Sequence, residues 1–272
     1  MLAMVLIQLA SALSVEVIGH AGAAGTAFLR MGLGAVLLVL IVRPKLRAIP
    51  RRDWPVLLAL GAVTGLMTLF FLSALDRIPL GTAVSIEFLG PLLLAAIMSP
   101  RRSALVWPAL AFVGVVLMTE PWTGVIDLLG IGFALLAGTC WALYNLFTQK
   151  VGDRYSGISG LAVTIPIAAG VTAVFGLPEV VRAGFDGRIL LLAIGIALLT
   201  PVASFSLEMV ALRRMTHTAF GTLLAAAPAI AVVLGLIVLT QMPHAPQIVG
   251  IVLVALAGVL AQRGGTRGAI TQ

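Results

Sequence analysis

Residues 74–91 read ALDRIPLGTAVSIEFLGP and residues 211–228 read ALRRMTHTAFGTLLAAAP; laid over one another without a gap, the two stretches keep a constant offset of 137 positions. The identities are Ala74 with Ala211, Leu75 with Leu212, Arg77 with Arg214 and Pro91 with Pro228, and between them Ile78 faces Met215, Ser85 faces Thr222 and Ile86 faces Leu223. The match pairs the third and fourth hydrophobic runs of the chain with the eighth and ninth. It predicts two halves of five helices, over 1–119 and 120–265, followed by a cytoplasmic tail at 266–272. Because five is odd, the second half must lie upside down relative to the first. Inverted repeats place a substrate site near the bilayer midplane between the halves and supply two mirror-related conformations for alternating access.

Outward from that repeat, stretches of about twenty apolar residues bounded by charge, Pro or Gly predict ten helices. They lie near 1–18, 24–42, 54–75, 79–99, 103–119, 128–150, 157–177, 188–211, 216–240 and 245–262. Hydrophobic residues make up 61% of the chain and charged residues only 10%, against about 25% charged in soluble domains. The fold class expected is an all-α integral membrane protein embedded in the lipid bilayer. The first run, Leu2 to Val17, is sixteen residues, or roughly 24 Å of helix, so it is expected to be completed by bilayer thinning or by residues upstream of Met1. It lacks the basic leader of a secretory signal.

The basic residues fall in every second gap. Arg43, Lys45, Arg47, Arg51 and Arg52 share one, and Arg101 and Arg102, Lys150 and Arg154, Arg213 and Arg214, and Arg263 and Arg267 occupy later ones. The intervening gaps hold only Arg77, Arg182 and Arg188. Short loops rich in Lys and Arg stay cytoplasmic, so both termini are expected on the cytoplasmic side. Basic groups at helix ends suit anionic headgroups rather than nucleic acid, despite the net charge of +7. Cys140, the only cysteine, leaves no internal disulfide or thiolate metal cluster.

Two charges lie inside the runs. Glu87 stands about eight residues into the fourth run, where a carboxylate is costly unless paired, protonated or facing a wet cavity; it is the candidate proton-linked acid. Pro91, four residues on, cannot donate to the Glu87 carbonyl, so a kink is expected beside the acid, and Pro228 is expected to do the same to Leu224. Arg30, some six residues into the second run, suits a substrate carboxylate or a partner such as Glu16 or Glu87; the alternative is snorkelling to the headgroups. Trp141, Tyr144, Asn145 and Thr148 share one face of the sixth run, and could hold a zwitterion partly through cation–π attraction or form part of an interfacial belt. Gln8, Ser11 and Ser14 make a thin polar stripe on the first run and Thr64 and Thr68 another on the third; their hydroxyls can equally bond their own helix. Glu208 is expected to pair with Arg213 or Arg214 in a structural role.

Enzyme signatures are missing. His20, His217 and His244 have no metal-ligand spacing, and no HExxH, GxSxG or Walker A sequence occurs. No cofactor is expected, and transport would draw on an ion gradient or on the substrate's own. Glycine-rich faces would admit a homodimer.

Four local strings carry a family resemblance: AFLRMGLG at 27–34, EFLGPL at 87–92, CWALY at 140–144 and SLEMVAL at 206–212. Together they resemble EamA-type members of the drug/metabolite transporter superfamily, in particular the bacterial inner-membrane threonine/homoserine exporter subgroup. The resemblance runs through the whole chain. It implies a ten-helix inverted-repeat carrier that exports small amino acids or related metabolites in exchange for protons. Members of that subgroup tend to carry an acid just before the proline of the ninth helix, where this chain has Ala227, and another near the end of that helix, where it has Gln241. Glu87 is therefore the acid carried into the central site. Export of drugs, nucleosides or sugar derivatives remains the alternative within transport, and a non-transporting membrane scaffold the alternative outside it.

Overall fold

In a computed structural model the chain is described at residues 1–44, 49–98, 102–120, 127–152, 159–184, 186–208 and 224–264, with side chains at 102, 149–152 and 262–264 outside the description. Among the described residues the secondary structure is entirely helical: α1 Leu2–Val42, α2 Trp54–Leu75, α3 Leu80–Ile97, α4 Val106–Thr119, α5 Leu128–Gly152, α6 Leu161–Ala183, α7 Gly187–Ala197, α8 Ala227–Leu239 and α9 Ala245–Gly264. Among the described residues six stretches are long and apolar enough to cross a membrane, and three shorter apolar helices, Ser103–Thr119, Ala227–Leu239 and Ala245–Ala261, accompany them. The helices are apolar all round, which marks helices buried in a protein core or in lipid. Large side chains such as Ile41 at 66%, Leu191 at 71% and Ile237 at 68% stand exposed on the outside. This is a multi-pass membrane protein.

α1 is not one rod. Gly22 leaves the helix with φ 73° and ψ 169°, a left-handed φ that a Cβ disfavours, and Gln8 and Arg30 on either side of it border the same cavity. A straight helix would hold these two residues about 33 Å apart, so the chain reverses at Gly22 and α1 is a pair of arms. The break leaves the first N–H groups of the second arm without helical acceptors. Glu179 of α6 reaches across and accepts from the Gly25 N–H at 2.7 Å.

A second departure follows α7. Leu198–Ala203 is a π-helical turn in which Thr200 is extended, with φ −149° and ψ 119°, and the chain resumes as helix over 204–208. The second arm of α1 passes close enough that a Cβ on Gly34 would lie 2.6 Å from the Pro201 ring. The main core gathers Leu72, Leu80, Val84, Ile86, Phe88 and Val254, with small alanines between them. α1 packs on α6 and α7, α2 on α5 and α6, α3 on α5 and α8, and α4 on α9.

Pro228 lies in the first turn of α8, directly after a turn at 225–226 that interrupts the run beyond Leu224, a position where its missing N–H would be unsatisfied anyway. One expectation changes here. Glu16 is engaged by Arg188 at 2.7 Å and so is not the partner of Arg30. The proposed partners of Glu208, Arg213 and Arg214, lie outside the described residues.

Candidate functional site

Seven helical segments enclose one cavity of ≈ 90 Å³. The first arm of α1 brings Gln8 and Ser11, the second arm Arg30, α2 Thr68 and Phe71, α3 Glu87, α5 Trp141 and Tyr144, the 204–208 segment Phe205 and Glu208, and the start of α8 Ala227. Of the side chains singled out in the sequence, Gln8, Ser11, Arg30, Glu87, Trp141 and Tyr144 meet there, whereas Asn145 is not among the lining residues.

Each polar group has a local history. Ser11 donates to the Ile7 carbonyl at 2.9 Å and Thr68 to that of Thr64 at 3.0 Å. Their hydroxyl protons are thus spent on the helix backbone, leaving only lone pairs for a ligand. Ser14, Thr64 and Ser85 bond backward in the same way. Gln8 and Arg30 are different: at 4% and 6% exposure they are buried, and Gln8 Oε1 and Arg30 Nε and Nη1 have no hydrogen-bond partner. Buried polar groups are normally satisfied, so this acceptor and these two donors stand out as open positions on the cavity wall.

Glu87 acts electrostatically on the Arg30 guanidinium, but among the described residues no ion pair closes between them within 4.0 Å. Arg30 is buried against the cavity rather than snorkelling to the surface. α3 keeps its helical course through Pro91, and the Glu87 carbonyl that Pro91 cannot bond lies against α5, 2.6 Å from where a Cβ on Gly138 would sit. Only glycine at 138 lets the two backbones approach this closely. Trp141 and Tyr144 are held by aromatic neighbours, Phe88 at 6.1 Å and Phe205 at 6.4 Å between ring centroids, distances at which ring pairs attract. Their rings are therefore fixed as walls.

Sequence reasoning missed Glu208 as a cavity residue, because two arginines a turn beyond it offered an obvious ion pair. The signal available was its place on an otherwise apolar run. Among the described residues no group of three His, Cys, Asp or Glu side chains is placed to hold a metal ion.

Comparison with known proteins places this arrangement. The EamA-like transporter family model matches residues 128–261. Over 269 residues, 98% of this chain and 89% of theirs, the sequence is 34% identical to the threonine/homoserine exporter RhtA of Salmonella typhimurium (strain LT2) and, to the same extent, to that of Escherichia coli (strain K12). A crystal structure only 18% identical superposes with a TM-score of 0.67, covering 96% of this chain and 95% of its own, a likeness of fold alone.

Proposed function

The chain belongs to the EamA-like transporter family, and on that premise we propose that it exports small amino acids of the threonine and homoserine kind across the bacterial inner membrane, in exchange for protons and by alternating access. The observation that carries this reading is the cavity, which Arg30 and Glu87 both line inside the apolar bundle, with Arg30 Nε and Nη1 lacking a partner. Intramembrane charges of this kind mark substrate and proton pathways. Arg30 receives the substrate carboxylate, Glu87 carries the exchanged proton, and Trp141 and Tyr144 wall the site, with Gln8 and Ser11 at its edge.

Alternating access requires two halves that can exchange roles. We assign them to 1–119 and 120–265, each of five helices, with the two arms of α1 counted separately. The packing supports this. Exchanging each helix with its counterpart turns the contact of α2 with α5 into that of α1 with α7, and the contact of α3 with α5 into that of α1 with α8, while α1–α6, α3–α8 and α4–α9 map onto themselves; all seven are present. Gly114 and Gly250, which the offset brings within one residue of equivalence, face one another's backbones across the α4–α9 contact. The alternation of basic loops orients both termini to the cytoplasm.

The test is efflux of radiolabelled threonine and homoserine from liposomes holding the purified protein, with and without an acidic exterior. Gradient-accelerated efflux is expected, and Glu87→Gln should remove the acceleration while the protein still inserts. Absence of amino-acid movement would overturn the export reading, and unchanged gradient dependence in Glu87→Gln would overturn the coupling role.

A further inference from the structure

One guanidinium and two carboxyl groups border the cavity, and the carboxyl groups are not equivalent. Glu87 and Arg30 act on each other. Among the described residues no cation acts on Glu208 and it makes no ion pair; the group that feels its charge is the Tyr144 hydroxyl. One guanidinium facing two carboxylates leaves the lining short of a positive charge, and the shortage falls at Glu208.

A carboxylate withdrawn from water is costly without a paired cation. No described residue supplies one at this end, so a ligand bearing its own cation completes the set. An α-amino acid does so in one molecule: its carboxylate meets the free nitrogens of Arg30 and its ammonium meets Glu208. The rings of Trp141 and Tyr144 border the same space and attract an ammonium through their faces. We infer that Glu208 binds the substrate ammonium and is the residue that selects zwitterions over their desamino counterparts. The inference rests on the amino-acid reading above and adds to it the second pole of the site, contributed by the half of the chain opposite to Arg30.

The experiment is competition against threonine efflux by 3-hydroxybutanoate, which keeps the carboxylate and hydroxyl of threonine and lacks its ammonium. In the wild type the analogue should compete on the order of thirtyfold more weakly than unlabelled threonine, the effect of leaving one partner of a buried charge pair unmatched. In Glu208→Gln the preference should collapse toward unity, and in Glu208→Asp it should be largely retained, a ratio that a merely structural role would not move. Equal competition in the wild type overturns the inference, as does an unchanged preference in Glu208→Gln. So does a Glu208→Gln protein that keeps the preference but loses its response to a pH gradient, which would make Glu208 a proton carrier instead. Should Glu208→Gln fail to insert, the wild-type ratio and the aspartate variant still decide. A wild type that moves no threonine defeats both readings, whereas one that moves threonine with an unmoved preference defeats only the role of Glu208.

Discussion

Gly138 sits where the backbones of α3 and α5 touch. A Cβ there would lie 2.6 Å from the Glu87 carbonyl oxygen and 3.2 Å from the Glu87 Cα, atoms of a neighbouring backbone that cannot swing aside. Gly138→Ala should therefore destabilise the protein by about 1–3 kcal/mol, as overpacking does, and displace Glu87 enough to slow transport. Gly132, on the same helix, has nothing within 4 Å of its would-be Cβ, so Gly132→Ala should be neutral or stabilise by roughly 0.5–1 kcal/mol. Thermal unfolding of both variants in detergent tests the pair. The same scale explains what the sequence made legible. Gln8, Arg30, Glu87 and Trp141 were readable because polar or amphipathic groups stand out in apolar runs. Phe71, Phe205 and Ala227 were not, since an apolar wall residue looks like any other. Asn145 shared the face of Tyr144 on a helical wheel, yet it is not among the residues that border the cavity.

Helix ends depend on side chains supplied from far along the chain. Besides Glu179 on the second arm of α1, Gln241 accepts from the Leu80 N–H at the start of α3 at 3.1 Å, and Asp127 accepts from the Gly130 N–H at the start of α5 at 2.8 Å while meeting Arg77 at 3.2 Å. Pro and Gly punctuation made the element boundaries legible, but these caps join residues 154 and 161 positions apart, beyond the reach of local pattern. Glu179→Leu should cost about 1 kcal/mol, the usual value of a lost N-cap, with Glu179→Gln recovering most of it because an amide oxygen still accepts. Asp127 adds a pH signature. The Gly130 N–H first of all, with Arg77 adding and desolvation opposing, holds its carboxyl below the ordinary range. Its contribution is thus complete above the ordinary carboxylate pKa, about 3.9, and is lost as the pH falls through the lowered value. The melting temperatures of wild type and Asp127→Ala should differ at neutral pH and converge in acid.

At the scale of the molecule, Gly25 with Glu179, Glu16 with Arg188, Arg77 with Asp127, Leu80 with Gln241 and Glu120 with His244 join separate elements at one end of the bundle. That end is the periplasmic one in the proposed topology. In a Cys140→Ala background, which removes the only cysteine, a cysteine at Asp186 should be labelled by an impermeant maleimide added to whole cells, and one at Arg52 only after lysis; the reverse pattern would invert the topology. The positions of the runs were legible because hydrophobic length and charge alternation are local. How the runs pack was not, because packing joins residues far apart in the chain. The reversal at Gly22 carries a last implication. Two arms joined through a single residue have no slack between them, so Arg30 cannot slide along Gln8 and Ser11 as an independent piston. What the joint leaves free is a change of angle, so in the proposed cycle the Arg30 arm and the Gln8–Ser11 stripe can part only by pivoting about Gly22.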